Sequence, residues 1–300
     1  MSATCLQLIQ QATGEMGLAV PNSAVGNTNT DVIQILALLN GVGYEVIRKY
    51  QWQATSKQNL FQTNYLNTTG TVTTGSAVIT GIPSTAALSA RYQVTGNGIL
   101  QNSQIVSVDS LTQVTITQQA TSSATGQALS FSQTQYAMPS DYDRQIDRTH
   151  WDKTQHWQMI GPETAQQWEW LTSGYISTGP RVRYRIFGSY FQIWPPQATQ
   201  HYLGFEYISN AWAASAAGVA KTSFTVDTDT CIFPDRLMVL GLKHKYFQAK
   251  GLGDVFKQDY MDEMSIAYAN DAGSQTLAMA PQITEVLISW NQIPDSGLGS

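Results

Sequence analysis

The segment PDRLMVLGLKHKYFQAKG, residues 234–251, decides the fold. Pro234 suits the first position of a helix, where its missing N–H would have no partner, and Asp235 suits the electropositive first turn. One face of the predicted helix carries four large side chains at helical spacing: Leu237, Leu240, His244 and Phe247. Gly251 marks its end. The sequence thus predicts an amphipathic helix that must cover its apolar face.

Three more helices are predicted, one after this segment and two near the N-terminus. The helix at about residues 254–272 has one face formed by Phe256, Tyr260, Met264 and Ala267. The helix at residues 4–17 has one face formed by Cys5, Leu8, Ile9, Ala12 and Met16. The helix at residues 30–50 has one face formed by Ile35, Leu39, Val42 and Val46.

Two features of the helix at residues 30–50 bear on its packing. It begins with a capping-box pattern, in which Asp31 is followed three residues later by Gln34. Gly41 and Gly43 lie in its interior, where each glycine costs about 1 kcal/mol relative to alanine. Two such residues indicate either a kink or the close approach of a neighbouring backbone, and we favour close packing.

Helices at both ends of the chain predict how it closes. The pair in residues 1–60 packs on the pair in residues 231–274 as a four-helix bundle, and the β-structure between them projects from one end. The predicted class is α+β, with an antiparallel β-sheet region and an inserted small all-β domain of the sandwich or barrel kind.

The inserted domain is predicted at residues 61–134, where the composition changes abruptly. From position 62 to position 134, Arg91 and Asp109 are the only charged residues, and about a third of the positions are Ser or Thr. Short alternating runs are separated by turn residues at regular spacing, and they lie at residues 77–80, 92–95, 104–108, 113–116 and 128–131.

The region at residues 135–230 is predicted to be an aromatic-rich β docking region. It contains MPSDYDRQIDRTHWDKTQHWQMIGPETAQQWE, residues 138–169, in which tryptophans alternate with Asp and Arg. Large aromatic side chains supply contact area and arginines fix register, so this mixture favours a partner-binding surface. The candidate partner-binding residues are Trp151, Trp157, Trp168, Trp170, Arg144, Arg148, Arg181, Arg183, Arg185 and Trp290.

Strands follow this stretch in RVRYRIFGSYFQIW, residues 181–194. Arginines alternate with apolar residues at period two, Gly188 and Ser189 form a plausible hairpin turn, and residues 203–209 supply a third strand of the sheet. Three arginines on one face could grip nucleic acid. Ion pairs with nearby carboxylates are the favoured use, and the candidates are Asp147, Asp152, Glu163 and Glu169. Residues 275–300 are predicted to be an arm that orders on assembly, with simple disorder as the alternative.

The overall charge limits the possible partners. Charged residues make up 12% of the 300 positions and the formal net charge is −5. The usual charged share is roughly 25%, so the low value indicates a surface covered by copies or partners. A negative chain without a basic stripe argues against a protein that grips nucleic-acid phosphates, although DNA could pass nearby. No signal peptide or membrane span is predicted.

The residues that could carry chemistry do not form a recognisable motif. Cys5 and Cys231 are predicted to be reduced core residues, since a disulfide framework or CxxC zinc site does not fit their spacing. His150 and His156 lack the spacing of a zinc protease helix. The acidic run at residues 141–147 lacks the glycine and glutamate of a calcium loop. No metal, no cofactor and no catalytic set are therefore predicted.

Several segments together resemble one family in its order along the chain. They are CLQLIQQATGEMGL, the helix ending in YQW, the stretch PSDYDRQIDRTHWD, then RVRYRI, FEYISNAW and FPDRLMVLGLKHKYFQAKGLG. The chain resembles the head-to-tail adaptors of short-tailed phages, the tail tubular protein A-like family. The insertion at residues 62–134 departs from that pattern and resembles a small β-module found in phage virion proteins, so its role is not inherited. Passive structure or contact with a tail protein is the favoured role of this module, and a receptor role is the alternative.

The resemblance implies a structural virion protein, made in the host cytoplasm and located in the tail or neck. It implies a dodecameric ring that binds the portal protein, receives the tail nozzle or tube, seats fibres or spikes, and lines the DNA exit channel. Two rivals from other classes remain. One is a glycan-binding or receptor-binding tail module, and the other is a cell-wall hydrolase that uses Asp152, Glu163 or Glu169.

Overall fold

The computed structural model describes residues 2–173 and 179–272 of the chain. Within these ranges the fold is mixed α+β, with five helices and several small antiparallel sheets. The helices are α1 (Cys5–Glu15), α2 (Thr30–Lys49), α3 (Ala165–Thr172), α4 (Asp235–Ala249) and α5 (Lys257–Ala272), with a 3₁₀ turn at Gln53–Thr55. The predicted arm at residues 275–300, including Trp290, lies outside the described residues.

Seventeen strands connect these helices within the described residues. In chain order they are β1 (Ser56–Gln62), β2 (Tyr65–Val72), β3 (Val78–Ile79), β4 (Gln93–Gly96), β5 (Ile105–Ser110), β6 (Gln113–Ile116), β7 (Ala124–Ser132), β8 (Gln135–Ala137), β9 (Tyr142–Gln145), β10 (Trp151–Asp152), β11 (Trp157–Gln158), β12 (Arg183–Phe187), β13 (Tyr190–Trp194), β14 (Tyr202–Ser209), β15 (Ala213–Ala214), β16 (Ala220–Lys221) and β17 (Thr230–Cys231).

The N-terminal helices pack against the C-terminal helices, as predicted. Helix α4 lies at the centre and contacts α1, α2 and α5. Because three helices surround it, seven consecutive residues of α4 are buried: Leu237, Met238, Val239, Leu240, Gly241, Leu242 and Lys243. The predicted single apolar face was therefore too narrow, and His244 and Phe247 on that face are only partly buried.

Polar contacts tie the N-terminal part to the C-terminal part. The Asp235 carboxylate accepts the Ala3 amide N–H at 3.0 Å, and the Asp227 carboxylate accepts the Val25 amide N–H at 2.7 Å. The largely buried Lys243 ammonium donates to the Glu15 carboxylate at 2.8 Å, and this hydrogen bond is the main cause that lowers the pKa of Glu15. These contacts fix the two ends of the described chain against each other.

The N-cap of helix α2 lies earlier in the chain than the capping-box pattern at Asp31 indicates. The N-cap is Asn29, whose side-chain oxygen accepts the Asp31 amide N–H at 2.9 Å. Asp31 therefore lies inside the first turn, where its charge complements the helix dipole. By length and composition alone α2 could cross a membrane, which the sequence analysis did not foresee. Its apolar face packs on α4, which is typical of a core helix.

The two glycines of α2 have different surroundings. A Cβ atom at Gly43 would overlap the indole ring of Trp212, so this position does require glycine. A Cβ atom at Gly41 would meet nothing within 4 Å. The close approach predicted at this helix is thus real at one glycine only, and the neighbour is an aromatic side chain rather than a backbone.

The small sheet β16-β15-β17 completes the helical core. It brings Trp212 and Phe233 into the apolar cluster that the helices share. Cys5 and Cys231 lie in the same cluster, and both are free and buried, as predicted. Burial raises the pKa of each thiol to about 12, so both remain protonated and unreactive near neutral pH.

Residues 65–132 form two small antiparallel sheets, β2-β7-β4 and β3-β6-β5. Each predicted run contains or overlaps a strand, and β2 is an additional strand that the sequence analysis did not identify. The two sheets enclose their own apolar cluster, centred on Phe131, Val94 and Ile79. We call residues 65–132 the insertion; the predicted domain boundaries at 61 and 134 stay predictions.

The aromatic-rich region consists of two sheets that share a core. Strand β14 pairs with β1, β9 and β10, and β10 pairs with β11. The second sheet has the order β12-β13-β8, and its hairpin turn lies at Gly188 and Ser189, as predicted. Phe191 of β13 stacks on Phe205 of β14 with ring centroids 4.9 Å apart, so the two sheets face each other.

The predicted third strand at residues 203–209 belongs to the other sheet, which corrects the sequence analysis. Strand β8 takes its place beside β13. Six of the eight residues of β14 are buried, which is typical of a strand that has neighbours on both sides. The period-two pattern identified a strand but could not tell which sheet it joins.

Candidate functional site: a polar cleft beside helix α3

The predicted partner-binding residues fall in two places. Arg144 lies on β9, Trp151 on β10 and Trp157 on β11, all in the sheet that contains β14. The remaining described candidates lie on or near α3 and β12, and they are Trp168, Trp170, Arg181, Arg183 and Arg185. Arg148 follows β9 and adopts a left-handed backbone with φ of 63°. The structure therefore does not bring the nine described candidates into one surface.

Exposure separates these residues further. The exposed members are Arg144, Arg148, Trp157, Trp170 and Arg181. Trp168 is buried, and Trp151, Arg183 and Arg185 are partly buried. The exposed members could contact a partner directly, whereas Trp168 belongs to the core.

Helix α3 explains why neighbouring tryptophans differ. Thr164 and Gln167 form a reciprocal capping box that starts this short helix. Trp168 and Leu171, three positions apart, share one face and pack on Trp194, whereas Trp170 points away and is 58% exposed. The sequence analysis missed this helix, although the spacing of Thr164 and Gln167 is the signal that identifies it.

The sheet β12-β13-β8 has one apolar face and one polar face. Tyr184, Phe191 and Tyr136 are on the apolar face, in the core shared with the neighbouring sheet. On the opposite face Arg185, Gln192 and Gln135 stand directly across from one another on the three strands. This row of one cation and two amides forms the floor of a cleft.

Helix α3 and the insertion form the walls of this cleft, whose volume is about 270 Å³. The wall from α3 is formed by Trp168, Glu169 and Thr172. The wall from the insertion is formed by Gln93, Asn102 and Gln104. We call this space the cleft; its remaining lining residues are Thr134, Phe187, Ile193 and Trp194.

Contacts between the insertion and the sheet frame the cleft. The Arg91 guanidinium lies 5.7 Å from the ring centroid of Tyr190, which stands on the polar face beside Phe187. The Arg185 guanidinium lies 4.8 Å from the ring centroid of Phe187. Cation–π contacts of this kind stabilise by about 0.5–1 kcal/mol each at exposed sites. The Arg91 contact joins the insertion to the sheet, whereas the Arg185 contact lies within β12.

Gln93 is the most unusual lining residue. Its side chain is 1% exposed, and among the described residues its Oε1 atom has no hydrogen-bond partner. A buried polar atom without a partner costs about 1–3 kcal/mol. Since the atom is buried, the missing hydrogen bond is a local cost of packing the insertion against the sheet.

The carboxylates named for the hydrolase alternative are engaged elsewhere. Glu163 accepts from the Arg183 guanidinium at 2.6 Å, which confirms the predicted ion pairing for that arginine. Asp152 accepts from His201 Nδ1 at 2.6 Å and from the backbone N–H of Thr154 at 3.0 Å, so its partner is a histidine rather than an arginine. These two buried carboxylates do not converge with Glu169 on one space.

Two histidines sit in buried networks rather than in a metal site. The His150 ring stacks on Tyr184 with centroids 4.1 Å apart, and Nδ1 lies 3.1 Å from the Tyr184 hydroxyl. Burial lowers the pKa of His150 to about 4. His201 Nε2 lies 3.2 Å from the Thr199 hydroxyl, and Thr63 binds both the Thr199 carbonyl and the His201 amide. This second network joins β1 to β14.

No group of three or more His, Cys, Asp or Glu side chains within residues 2–173 and 179–272 is arranged to hold a metal ion. Another carboxylate, that of the partly buried Asp141, is bound by Lys57 at 2.6 Å and by the Tyr207 and Ser209 hydroxyls. Burial acts to raise the pKa of Asp141, but these hydrogen bonds outweigh it and lower the pKa. Asp141 therefore joins β1 to β14 and has a structural role.

A comparison of the chain with protein-family models finds no match, and a comparison with curated proteins finds none either.

Proposed function

We propose that this chain is a structural virion protein, a head-to-tail adaptor that forms a ring between the portal and the tail nozzle or tube. The observation that carries the proposal is the packing of α1 and α2 on α4, with the β-structure between them in the chain. The segments that resemble the adaptor family include these terminal helices and the aromatic stretch between them, in the family's order along the chain. The geometry is therefore compatible with the family architecture, and the assignment to that family is part of the proposal.

The finer architecture is also a proposal. The four terminal helices act as a bundle that contacts the portal and neighbouring copies, and residues 61–134 act as an inserted domain. Exposed apolar side chains on α2 and α5 support a role in subunit contact, since large exposed apolar residues mark interaction surfaces. They are Ile33, Tyr44, Met261 and Ile266.

The partners follow from the same proposal. The chain forms a homo-oligomer, a dodecameric ring, that also seats a tail fibre or spike and lies in the tail or neck of the virion. Assembly takes place in the host cytoplasm. A net charge of −5 per copy gives a ring a negative lining, which suits DNA that slides past without sequence-specific contact. No catalytic activity, cofactor or membrane contact is proposed.

The structure suggests a clean deletion that tests which part binds the portal. The Gln133 amide N–H donates to the Asn64 carbonyl at 2.9 Å, so the two ends of the insertion are adjacent. Residues 65–132 can therefore be replaced by two glycines. We expect the shortened chain to form rings with purified portal protein, seen by negative-stain microscopy. Loss of portal binding by a shortened chain that stays folded would overturn the assignment of that contact to the helices.

A matched pair of substitutions tests the helical surface directly. Tyr44→Glu places a negative charge at an exposed aromatic residue of α2, and Leu111→Glu places one at an exposed aliphatic residue of the insertion. We expect Tyr44→Glu to weaken ring formation by at least about tenfold and Leu111→Glu to leave it unchanged. Mass photometry of each variant measures the oligomer fraction. Equal effects of the two changes contradict the proposal.

The hydrolase alternative has a direct test. Glu163 and Asp152 are held by a cation and a histidine, so they lack the free, paired geometry of glycosidase carboxylates. We expect no release of soluble fragments from purified cell walls. Cell-wall hydrolysis that disappears in Glu163→Gln or Glu169→Gln would instead support the hydrolase alternative and contradict the proposal that the adaptor role is the sole function.

A further inference from the structure

Strand β1 leaves one edge of its sheet unpaired. It pairs with β14 over its whole length, and no other described strand pairs with it. In the same register the Thr63 amide N–H donates to the His201 carbonyl, so the N–H and C=O groups of Gln58, Leu60 and Gln62 point away from β14. A row of backbone hydrogen-bonding groups is therefore available along this edge.

This edge lacks the features that usually protect an unpaired strand. Proteins protect such edges with charged side chains, prolines or β-bulges. The pairing of β1 has no register shift, whereas the pairing of the edge strands β2 and β5 is irregular. The single charged residue of β1 is Lys57, whose ammonium group is bound to the Asp141 carboxylate. The edge is therefore suited to an added strand.

The burial of the β1 side chains shows that the space beside this edge is open. Leu60, on the outer face of the sheet, is 46% exposed. Phe61 packs on the core that the two sheets share, yet it is only partly buried, whereas Leu203, directly across from it on β14, is fully buried. A strand added beside β1 would cover the open sides of both Leu60 and Phe61.

The described chain ends close to the start of this edge. The Asp271 carboxylate, at the end of α5, accepts the Gln53 amide N–H at 2.7 Å, and Gln53 begins the short turn that leads directly into β1. Tyr268 of α5 stacks on Tyr50, with ring centroids 4.5 Å apart. The chain beyond residue 272 therefore begins beside the residues that precede β1.

The sequence beyond residue 272 contains a segment that suits such an edge. It reads ITEVLISW, residues 283–290, and it contains neither proline nor glycine. At period two Val286, Ile288 and Trp290 fall on one side of the segment, and Glu285, Leu287 and Ser289 fall on the other. The first side is apolar, as the core-facing side of an added strand requires, and the second is mixed, as an outer face allows.

The connector between α5 and this segment, residues 273–282, is long enough to reach the whole edge. An extended connector of this length spans up to roughly 33 Å, whereas β1 spans roughly 23 Å. The segment at residues 283–290 therefore reaches any part of β1 in the same chain while α5 stays in place.

We propose that residues 283–290 add to the free edge of β1 in the same chain as a further β-strand. The outward backbone groups of β1 supply the hydrogen bonds, and Val286, Ile288 and Trp290 cover the open side of Phe61. The segment thereby removes an edge at which separate copies would otherwise pair. This contact is independent of the adaptor proposal, since it needs neither a second copy nor a portal protein.

Hydrogen–deuterium exchange of the full chain tests the contact. Mass spectrometry follows the exchange of peptides that cover β1, and peptides that cover β14 serve as the internal reference. The key variant carries Leu287→Pro and Ile288→Pro together. Because N–H groups of adjacent strand residues point to opposite sides, one of the two faces β1 in any register, and proline removes it. The matched control carries Ser296→Pro and Gly297→Pro, which lie outside the segment.

We expect the outward amides of β1 to exchange at least about tenfold more slowly in the native chain than in the key variant, because their hydrogen bonds to the segment are lost there. The control keeps the native exchange of β1, and β14 exchanges equally in all three chains. Equal exchange of β1 in the native chain and the key variant overturns the proposal.

A second variant decides the matter if faster exchange of β14 shows that the prolines disturb the fold. Ile288→Asp leaves the backbone donors in place and puts a charge on the side that faces the core. We expect it to speed the exchange of the outward β1 amides by at least about tenfold as well, since an unpaired charge is not tolerated there. Exchange of β1 that stays at the native rate in Ile288→Asp overturns the proposal.

A mixing experiment tests whether the segment belongs to the same chain. The key variant is labelled with a heavy nitrogen isotope and mixed with the unlabelled native chain, and the exchange of its β1 peptides is followed. We expect this exchange to stay fast, because each native segment occupies the edge of its own chain. Slower exchange of the labelled β1 after mixing shows that the segment comes from another copy, which overturns the proposal.

Discussion

His150 should make the stability of this protein fall steeply in mild acid. The ring is 1% exposed and lies in a stack with Tyr184, Phe205 and Phe191. Burial lowers its pKa from the ordinary 6.5 to about 4, although the nearby Asp147 carboxylate acts in the opposite direction. The folded chain therefore keeps His150 neutral at a pH where the unfolded chain protonates it.

The sign and size of the effect follow from this difference. Below about pH 6.5 the unfolded chain binds one more proton than the folded chain, so acid favours unfolding. The contribution of His150 is complete above pH 6.5 and is lost progressively as the pH falls toward 4. One pKa unit corresponds to about 1.4 kcal/mol, so the full loss is about 3 kcal/mol, of which about 2 kcal/mol appears between about pH 7.5 and about pH 5.

The measurement is urea unfolding at those two pH values for the native chain and two variants. His150→Phe keeps the stacked ring and removes the titrating group, so we expect it to remove about 2 kcal/mol of the pH dependence. It also loses the hydrogen bond to Tyr184, which lowers its stability by about 1 kcal/mol at both pH values. His156→Gln, at an exposed position, should keep the native slope. Equal slopes in the native chain and His150→Phe would refute the reasoning.

Three further pairs of substitutions test the helix packing, the ion pairs and the cap of α2. Gly43→Ala should destabilise the protein by about 1–3 kcal/mol because the added methyl group overlaps Trp212. Gly41→Ala adds a methyl group that meets no neighbouring atom, so it should stabilise the protein by up to about 1 kcal/mol. Thermal unfolding of both variants measures these changes. Arg183→Met should lower the free energy of unfolding by about 3 kcal/mol because it leaves the buried Glu163 carboxylate unpaired. Arg144→Met, at an exposed position, should lower it by under about 0.5 kcal/mol. Equal losses in the two variants contradict the assigned pair. Asn29→Ala should lower the free energy of unfolding by about 1 kcal/mol, and Asp31→Ala by about half of that. Urea unfolding measures both losses, and a larger loss in Asp31→Ala would identify Asp31 as the cap.

The sequence predicted four of the five described helices, because the apolar spacing that identifies them is a local signal. Helical spacing located α1, α2, α4 and α5 within a few residues, and the buried faces of α1 and α2 matched their predicted patterns. The cap of α2 was misplaced because both Asn29 and Asp31 are good capping residues. Only the backbone conformation decides between them.

Sheet membership was harder to predict because it depends on contacts between distant residues. The pattern at residues 203–209 identified a strand, but its partners β1, β9 and β10 lie far from it in sequence. The polar row of Arg185, Gln192 and Gln135 is likewise invisible until the register of three strands is known. Gln93 carried no sequence signal at all, since the burial of its Oε1 atom without a hydrogen-bond partner follows only from tertiary packing.

The position of α4 has a consequence for how the protein is made. Glu15 and Lys243, which meet in the folded structure, are 228 positions apart, whereas the strands of the insertion pair only with one another. During synthesis α1 and α2 leave the ribosome with apolar faces that nothing can yet cover, while the insertion can already fold. The apolar cluster that the helices share therefore closes last, once α4 has emerged.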